Sequence, residues 1–151
     1  MQEKTIVDTS CLIILEKIQQ LDLLRKLYGR VTITSVIEEE FNSTLPDWMD
    51  VVVVNVKKQT PLPISVDPGE ASAILLALNS DKPLLILDDF KARGLAKSLD
   101  IPVTGTFGVL LRAKELGLIH LVKPELIKIQ HTDFRMSEYL FELVLREAGE
   151  K

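Results

Sequence analysis

The chain has 151 residues, 46% of them hydrophobic, and a formal net charge of −4 at pH 7. That length supports one substantial core and gives no sign of a second, so residues 1–151 are expected to form one domain. The single cysteine, Cys11, excludes an internal disulfide, and the negative balance excludes a global basic field for nucleic acid, so phosphate contacts must be local. The opening Met1-Gln2-Glu3-Lys4 lacks the apolar stretch of a signal peptide or membrane span, and a cytoplasmic protein without membrane association is expected.

In chain order, Thr5 to Val7 reads as a first strand, closed by Asp8. Thr9 or Ser10 then caps a helix through about Ile18, since short hydroxyl side chains satisfy free amides at a helix start. Leu23, Leu24 and Leu27 give the stretch Leu21 to Tyr28 helical spacing, ended by Gly29. Val31 to Ile33 is a second strand, after which Thr34 or Ser35 caps a helix through Phe41. A loop with Pro46 and Trp48 leads to Val51 to Val54, β-branched throughout and predicted to be a strand. Lys57 to Pro68, with three prolines, reads as a surface loop. Asp67-Pro68-Gly69-Glu70 combines a capping residue, a proline at the first helical position and a carboxylate at the third, and opens a helix through Leu78. Then follow strand Leu84 to Leu87, helix Phe90 to Leu99, strand Ile101 to Thr104 and helix Phe107 to Leu116, ended by Gly117. The tail carries one helical stretch, Ser137 to Ala148. This βαβ rhythm implies a parallel sheet covered by helices on both faces.

Asp8, Glu40, Glu70 and the pair Asp88–Asp89 sit where hydrophobic segments stop or start. Acids so placed can converge on one divalent-metal pocket, because ligands of open α/β sheets bind at the carboxyl ends of strands. Each has a plainer reading. Asp8 can favour a helix dipole, although Thr9 and Ser10 can serve as the cap. Glu70 can complete a reciprocal cap with Asp67, and cap and ligand weigh equally. Glu38-Glu39-Glu40 is ordinarily a solvated face, but Glu40 lies four residues after Val36 and three after Ile37 and is expected to share their buried side, with Glu39 as the fallback. Of Asp88 and Asp89, adjacent and differently directed, one is expected to be the ligand.

Five blocks in order carry a family resemblance: Ile6-Val7-Asp8-Thr9-Ser10, Thr34-Ser35-Val36-Ile37-Glu38-Glu39-Glu40, Gly69-Glu70-Ala71-Ser72-Ala73-Ile74, Leu87-Asp88-Asp89-Phe90-Lys91-Ala92-Arg93 and Val103-Thr104-Gly105-Thr106-Phe107-Gly108-Val109-Leu110-Leu111. Across nearly the whole chain they resemble PIN domains, in particular a prokaryotic subfamily related to the toxin ribonucleases of virulence-associated toxin–antitoxin pairs. The resemblance implies an α/β, three-layer α/β/α fold with a five-stranded parallel sheet, an acidic pocket for Mg2+ or Mn2+, and endoribonuclease activity. By similarity Asp8, Glu40, Glu70 and Asp88 or Asp89 form the catalytic pocket, with Asp8, Glu40, Asp88 and Asp89 as its metal ligands and Thr106 nearby. Typical toxin members carry Asp where this chain has Glu70.

Such a pocket suits magnesium, which takes oxygen ligands and keeps waters that a substrate phosphate displaces. Lys91, Arg93 and Lys97, behind the acidic pair, are positioned for RNA phosphates or for a solvated helix face. Cys11 reads as core, Trp48 as cover for the core edge, and His120 and His131 as connecting residues without ligand spacing. Expected partners are RNA, a small antitoxin protein and a second copy of the chain, the last because leucines around Leu110-Leu111 and on the tail exceed what a small domain readily buries. Two other functions are weighed. One is a non-catalytic PIN-like RNA- or protein-binding module. The other is a phosphorylated receiver domain, disfavoured because receivers keep their acidic pair after the first strand.

Overall fold

A computed structural model of the chain describes residues 3–56, 62 and 65–151. Most of the loop expected over 57–68 lies outside the described residues. The elements run β1 (Lys4–Val7), α1 (Thr9–Lys17), α2 (Leu23–Tyr28), β2 (Val31–Thr34), α3 (Ser35–Phe41), β3 (Met49–Val52), α4 (Pro68–Leu78), β4 (Pro83–Ile86), α5 (Phe90–Ser98), β5 (Val103–Thr104), α6 (Thr106–Glu115), α7 (Lys123–Gln130) and α8 (Glu138–Glu147). The five strands are all parallel, in the order β3-β2-β1-β4-β5. This is the expected α/β class. Ile6, Val7, Ile33, Leu85 and Ile86 are fully buried, consecutive residues among them, so both faces of the central strands are covered.

The order has a functional consequence. From β1 the chain steps outward through β2 and β3, then returns to lay β4 on the other side of β1, so the strand order reverses between β1 and β4. Ligands of open parallel sheets bind at that reversal, beyond the carboxyl ends of the strands. The two strand ends are closed by Asp8 N–H donating to the Ile86 carbonyl at 2.9 Å. Asp8 and Asp88 are thereby set on either side of the switch point. A receiver's order is 2-1-3-4-5, so the topology removes that reading.

Four expectations are corrected. The third strand is Met49–Val52 rather than Val51–Val54: pairing fixes Val31 opposite Met49 and Thr34 opposite Val52, and Val54 N–H leaves the sheet for Ser35 Oγ at 3.2 Å. Register, not β-branching, sets the strand's limits. The segment 123–130 forms α7, with Pro124 in its first turn and Val122, Leu126 and Ile129 buried. Thr9 and Ser10 do not cap α1; the cap position is Asp8, whose side chain makes no capping bond. Leu110 is buried in the chain's own core, as are Val144 and Leu145 of α8, and Leu111 packs against that core, so these residues leave no broad exposed leucine surface. In the connection between α6 and α7 the exposed large apolar side chains are instead Leu116, Leu118 and Leu121. Among the described residues no helix is long and apolar enough to cross a membrane.

Candidate active site

One cavity of about 470 Å3 at the carboxyl edge of the sheet gathers Asp8, Glu40, Glu70, Asp88 and Asp89, the five residues singled out from sequence, and adds Asp67. Thr9, Ser10, Ile13 and Phe134 complete its wall. Each carboxylate is held differently.

Asp8 is 4% exposed, and its Oδ1 is buried with no hydrogen-bond partner. An unpartnered buried oxygen ordinarily costs about 1–3 kcal/mol. Burial pushes the Asp8 carboxyl up to about 8, the backbone N–H of Thr9 pulls against that shift, and repulsion from Asp67, Glu70 and Glu40 adds to it. Asp8 therefore stands at the start of α1 without making a side-chain capping bond to it.

Glu40 lies at the end of α3 and is exposed, contrary to the buried face expected, yet its side chain turns into the cavity. Thr9 Oγ1 donates to Glu40 Oε1 at 2.6 Å. A Cβ on Gly69 would lie 2.3 Å from the same oxygen, so only glycine at that position lets the carboxylate rest on the first turn of α4. Glu38 and Glu39 face a separate depression with Ser35 and Asn42. The register of α3 against α4 is fixed by a buried chain of donors: Ser72 Oγ donates to the Gly69 carbonyl at 2.7 Å, so the Thr34 hydroxyl donates to Ser72 while Thr34 Oγ1 accepts from Ile37 N–H.

Glu70 realises the reciprocal cap. Its N–H donates to Asp67 Oδ1 at 2.8 Å and its Oε1 accepts from Asp67 N–H at 3.1 Å. Burial raises its pKa, the Asp67 amide opposes the shift, and the charges of Asp67, Asp89 and Glu40 add to it. Asp67, read from sequence as a cap alone, thus also faces the cavity. Its signal was present in the Asp-Pro-Gly-Glu spacing, but only the packing of α4 on the sheet edge shows where it points.

The acidic pair divides cleanly. Asp89 caps α5, accepting from Ala92 N–H at 2.9 Å. Asp88 lies deeper and is clamped to the start of α6, accepting from Thr106 N–H and Thr106 Oγ1, each at 2.7 Å, and from Ser10 Oγ at 3.4 Å. Gly105 makes this possible, since a Cβ there would lie 2.7 Å from Asp88 Oδ1 and 2.5 Å from Arg93 Nη1. The helix starts at α1, α4, α5 and α6 all reach this edge, and their positive dipole ends offset part of the repulsion among the acids.

Cys11 is fully buried and its thiol is pushed well up by burial, as a packing residue. Trp48 packs on the core, and neither it nor His120 or His131 lines the cleft. Among the described residues, no group of three His, Cys, Asp or Glu side chains is arranged to hold a metal ion as it stands. The donor set nevertheless fits a hard divalent cation: it is all oxygen, its inner carboxylate has an unpartnered atom, and its like charges repel in the cation's absence.

No curated protein and no solved structure matches the chain. The model of one family, described as the PIN domain, matches residues 4–150. PIN domains are typically nucleases, and generally use divalent metals. That match spans nearly the whole chain, and the chain belongs to the PIN-domain family.

Proposed function

We propose that the chain is a metal-dependent endoribonuclease hydrolysing RNA phosphodiester bonds, the toxin half of a toxin–antitoxin pair. The observation that carries this reading is Asp8, a buried carboxylate with an unpartnered oxygen and a raised pKa at the switch point of the sheet, facing Glu40 and Glu70 across one cleft. Mg2+ or Mn2+, when bound by Asp8, Glu40, Asp88 and Asp89, supplies a lowered pKa for water and a counter-charge for the scissile phosphate. Thr9 holds Glu40, and Thr106 holds Asp88, so two of these side chains are oriented before any ligand arrives. Asp88 is the inner ligand of the pair, because it lies deeper in the cleft and is held in place by Thr106, whereas Asp89 is exposed and caps α5. Glu70, which lines the cleft, serves as a proton acceptor there. Ile13 and Phe134 restrict water at the cleft wall. The cytoplasm is the expected compartment. A small antitoxin covers the cleft in this reading, and a two-fold dimer uses the exposed leucines after α6; light scattering returning only the 17.0 kDa monomer removes the dimer.

The test is cleavage of mixed RNA with Mg2+ or Mn2+ and with chelator. Glu40→Gln is expected to abolish cleavage, and Glu38→Gln, whose side chain faces away, to leave it near normal. Equal loss in both variants overturns the site. An intact chain that binds RNA but cuts nothing with either metal identifies the non-catalytic binding module instead.

A further inference from the structure

A second cavity, of about 430 Å3, opens directly beside the acidic cleft, between α5, the start of α6 and α8. Asp88 and Phe134 line both, so a strand whose phosphate lies over the acids continues into it without a gap. Its floor is apolar, formed by Leu111, Leu140, Val144 and the rings of Phe107 and Phe134, which meet edge to face at 6.1 Å. The volume falls in the roughly 300–1,000 Å3 range of small-ligand sites.

Two residues on the wall stand out, Phe90 and Arg93. Phe90, immediately after Asp89, is 92% exposed and takes no part in the core. An isolated apolar side chain on a surface needs no explanation, but an uncovered aromatic at the mouth of an apolar cavity, one residue from a helix-capping acid, is a face presented to something. Arg93, less than one turn further, is half-buried. Its Nη1 donates to the Leu87 carbonyl at 3.2 Å, and among the described residues it forms no ion pair. Of the described residues lining the two cavities, Arg93 is the one cation. Lys91 and Lys97, on the same helix, are exposed and line neither cavity.

We propose that this cavity receives the base of a nucleotide adjoining the scissile phosphate, stacked on Phe90 and accepting hydrogen bonds from the N–H groups of Arg93 that the Leu87 carbonyl leaves free. This rests on the ribonuclease reading and deepens it, since it assigns a subsite to the substrate. A nucleobase satisfies both wall residues at once: it has a π-face for the ring and edge acceptors for the guanidinium. An apolar segment of a partner protein covers the floor and can offer a backbone carbonyl to the guanidinium, but a base presents a flat π-face to Phe90 and an acceptor edge to Arg93 in one rigid group. The cavity also carries Asp88 and Glu147, so Arg93 is the one group there that can attract a phosphate as the strand leaves the cleft.

The test separates this subsite from the activity. Fluorescence anisotropy is measured for a 5′-labelled single-stranded RNA octamer, and for versions abasic at each position in turn, with Ca2+ replacing Mg2+ so that binding is read without cutting. The full chain is expected to lose roughly tenfold in affinity when one particular base is removed. Phe90→Ala should lose the same factor on intact RNA and become indifferent to that abasic site, with an unchanged melting temperature because the ring is already in water. Arg93→Gln should weaken binding at the same position. A flat abasic profile, or a Phe90→Ala chain with wild-type affinity and profile, overturns the base pocket and gives the cavity to a protein segment, while RNA cleavage by the same preparation keeps the ribonuclease reading. A chain that binds none of the RNAs overturns both.

Discussion

Asp8, after the first strand, and Glu150, at the end of the chain, are both carboxylates nearly hidden from water, with exposures of 4% for Asp8 and 6% for the Glu150 side chain. Burial pushes both up, yet the outcomes are opposite. Glu150 Oε2 accepts from Val122 N–H at 2.6 Å and from Lys114 Nζ at 3.0 Å, and Oε1 accepts from Lys123 N–H at 3.0 Å. These donors outweigh its desolvation and hold its carboxyl below the usual range. Asp8 has an orphaned oxygen and three acidic neighbours, and rises to about 8. The difference teaches that hiding a carboxylate does not decide its charge; the donors supplied to it do. At the carboxyl-terminal clasp the fold supplies them. At Asp8 it withholds a donor from one oxygen, the place that a cation takes under the proposed function.

The largest expected effect breaks the cleft side of this comparison. Asp8→Asn keeps the shape and removes the charge, and cleavage should fall by roughly 100-fold or more, given that metal-dependent charge stabilisation is worth several kcal/mol. Calorimetry with Mn2+ should show weaker binding in parallel. Binding as tight in the Asn variant as in the parent assigns the metal elsewhere.

The same substitution should act on stability in the other direction. In the metal-free chain the folded pKa of Asp8 lies above its unfolded value of 3.8, so its contribution is fully present below about pH 4 and is lost as pH rises through about 8. Glu70, also raised, adds to that trend. In chelator, the parent should therefore lose stability between pH 5.5 and 8.5, and Asp8→Asn should flatten the decline by an amount on the order of a few kcal/mol. Divalent metal should restore the parent at pH 8.5. Parallel pH profiles for the two proteins would show that Asp8 ionises in the folded state without cost.

Much of the cleft was legible in the sequence because its acids punctuate apolar runs. Asp8 and Asp88 end strands, and strand ends are visible as the end of a β-branched or leucine-rich segment. The phase of α3 picked Glu40 from its run, although its side chain reaches the cavity from an exposed position rather than a buried one. What could not be read depends on distant packing. Asp88 and Asp89 are told apart by Thr106, eighteen residues on, which clamps one of them. Arg93 is distinguished from Lys91 and Lys97 by its approach to Gly105 and its bond to the Leu87 carbonyl. The start of α7 did have local signals, Pro124 and Glu125 in its first turn and helical spacing of Val122, Leu126 and Ile129, and only the closure of its amides by Glu150 depends on distant packing.

That distant bond supplies the smallest and sharpest prediction. Glu150→Gln keeps the size of the side chain but offers an amide where the backbone N–H groups of Val122 and Lys123 and the Lys114 ammonium need acceptors. Breaking charge-assisted bonds of this kind should cost about 1–3 kcal/mol at pH 7, read by urea unfolding. The folded pKa of Glu150 is depressed, so its contribution is present above the unfolded value of 4.5 and disappears as pH falls through the folded value. The gap between parent and variant should therefore close toward acid, opposite in sign to the Asp8 profile. A gap that stays constant with pH would mean that Glu150 acts by packing rather than charge. RNA cleavage should be unaffected, since Glu150 lines neither cavity and the clasp closes the end of the chain onto α7. A loss of cleavage comparable to that of Asp8→Asn would show that the donors at the clasp and the acids at the cleft form one coupled system, and would dissolve the distinction between them.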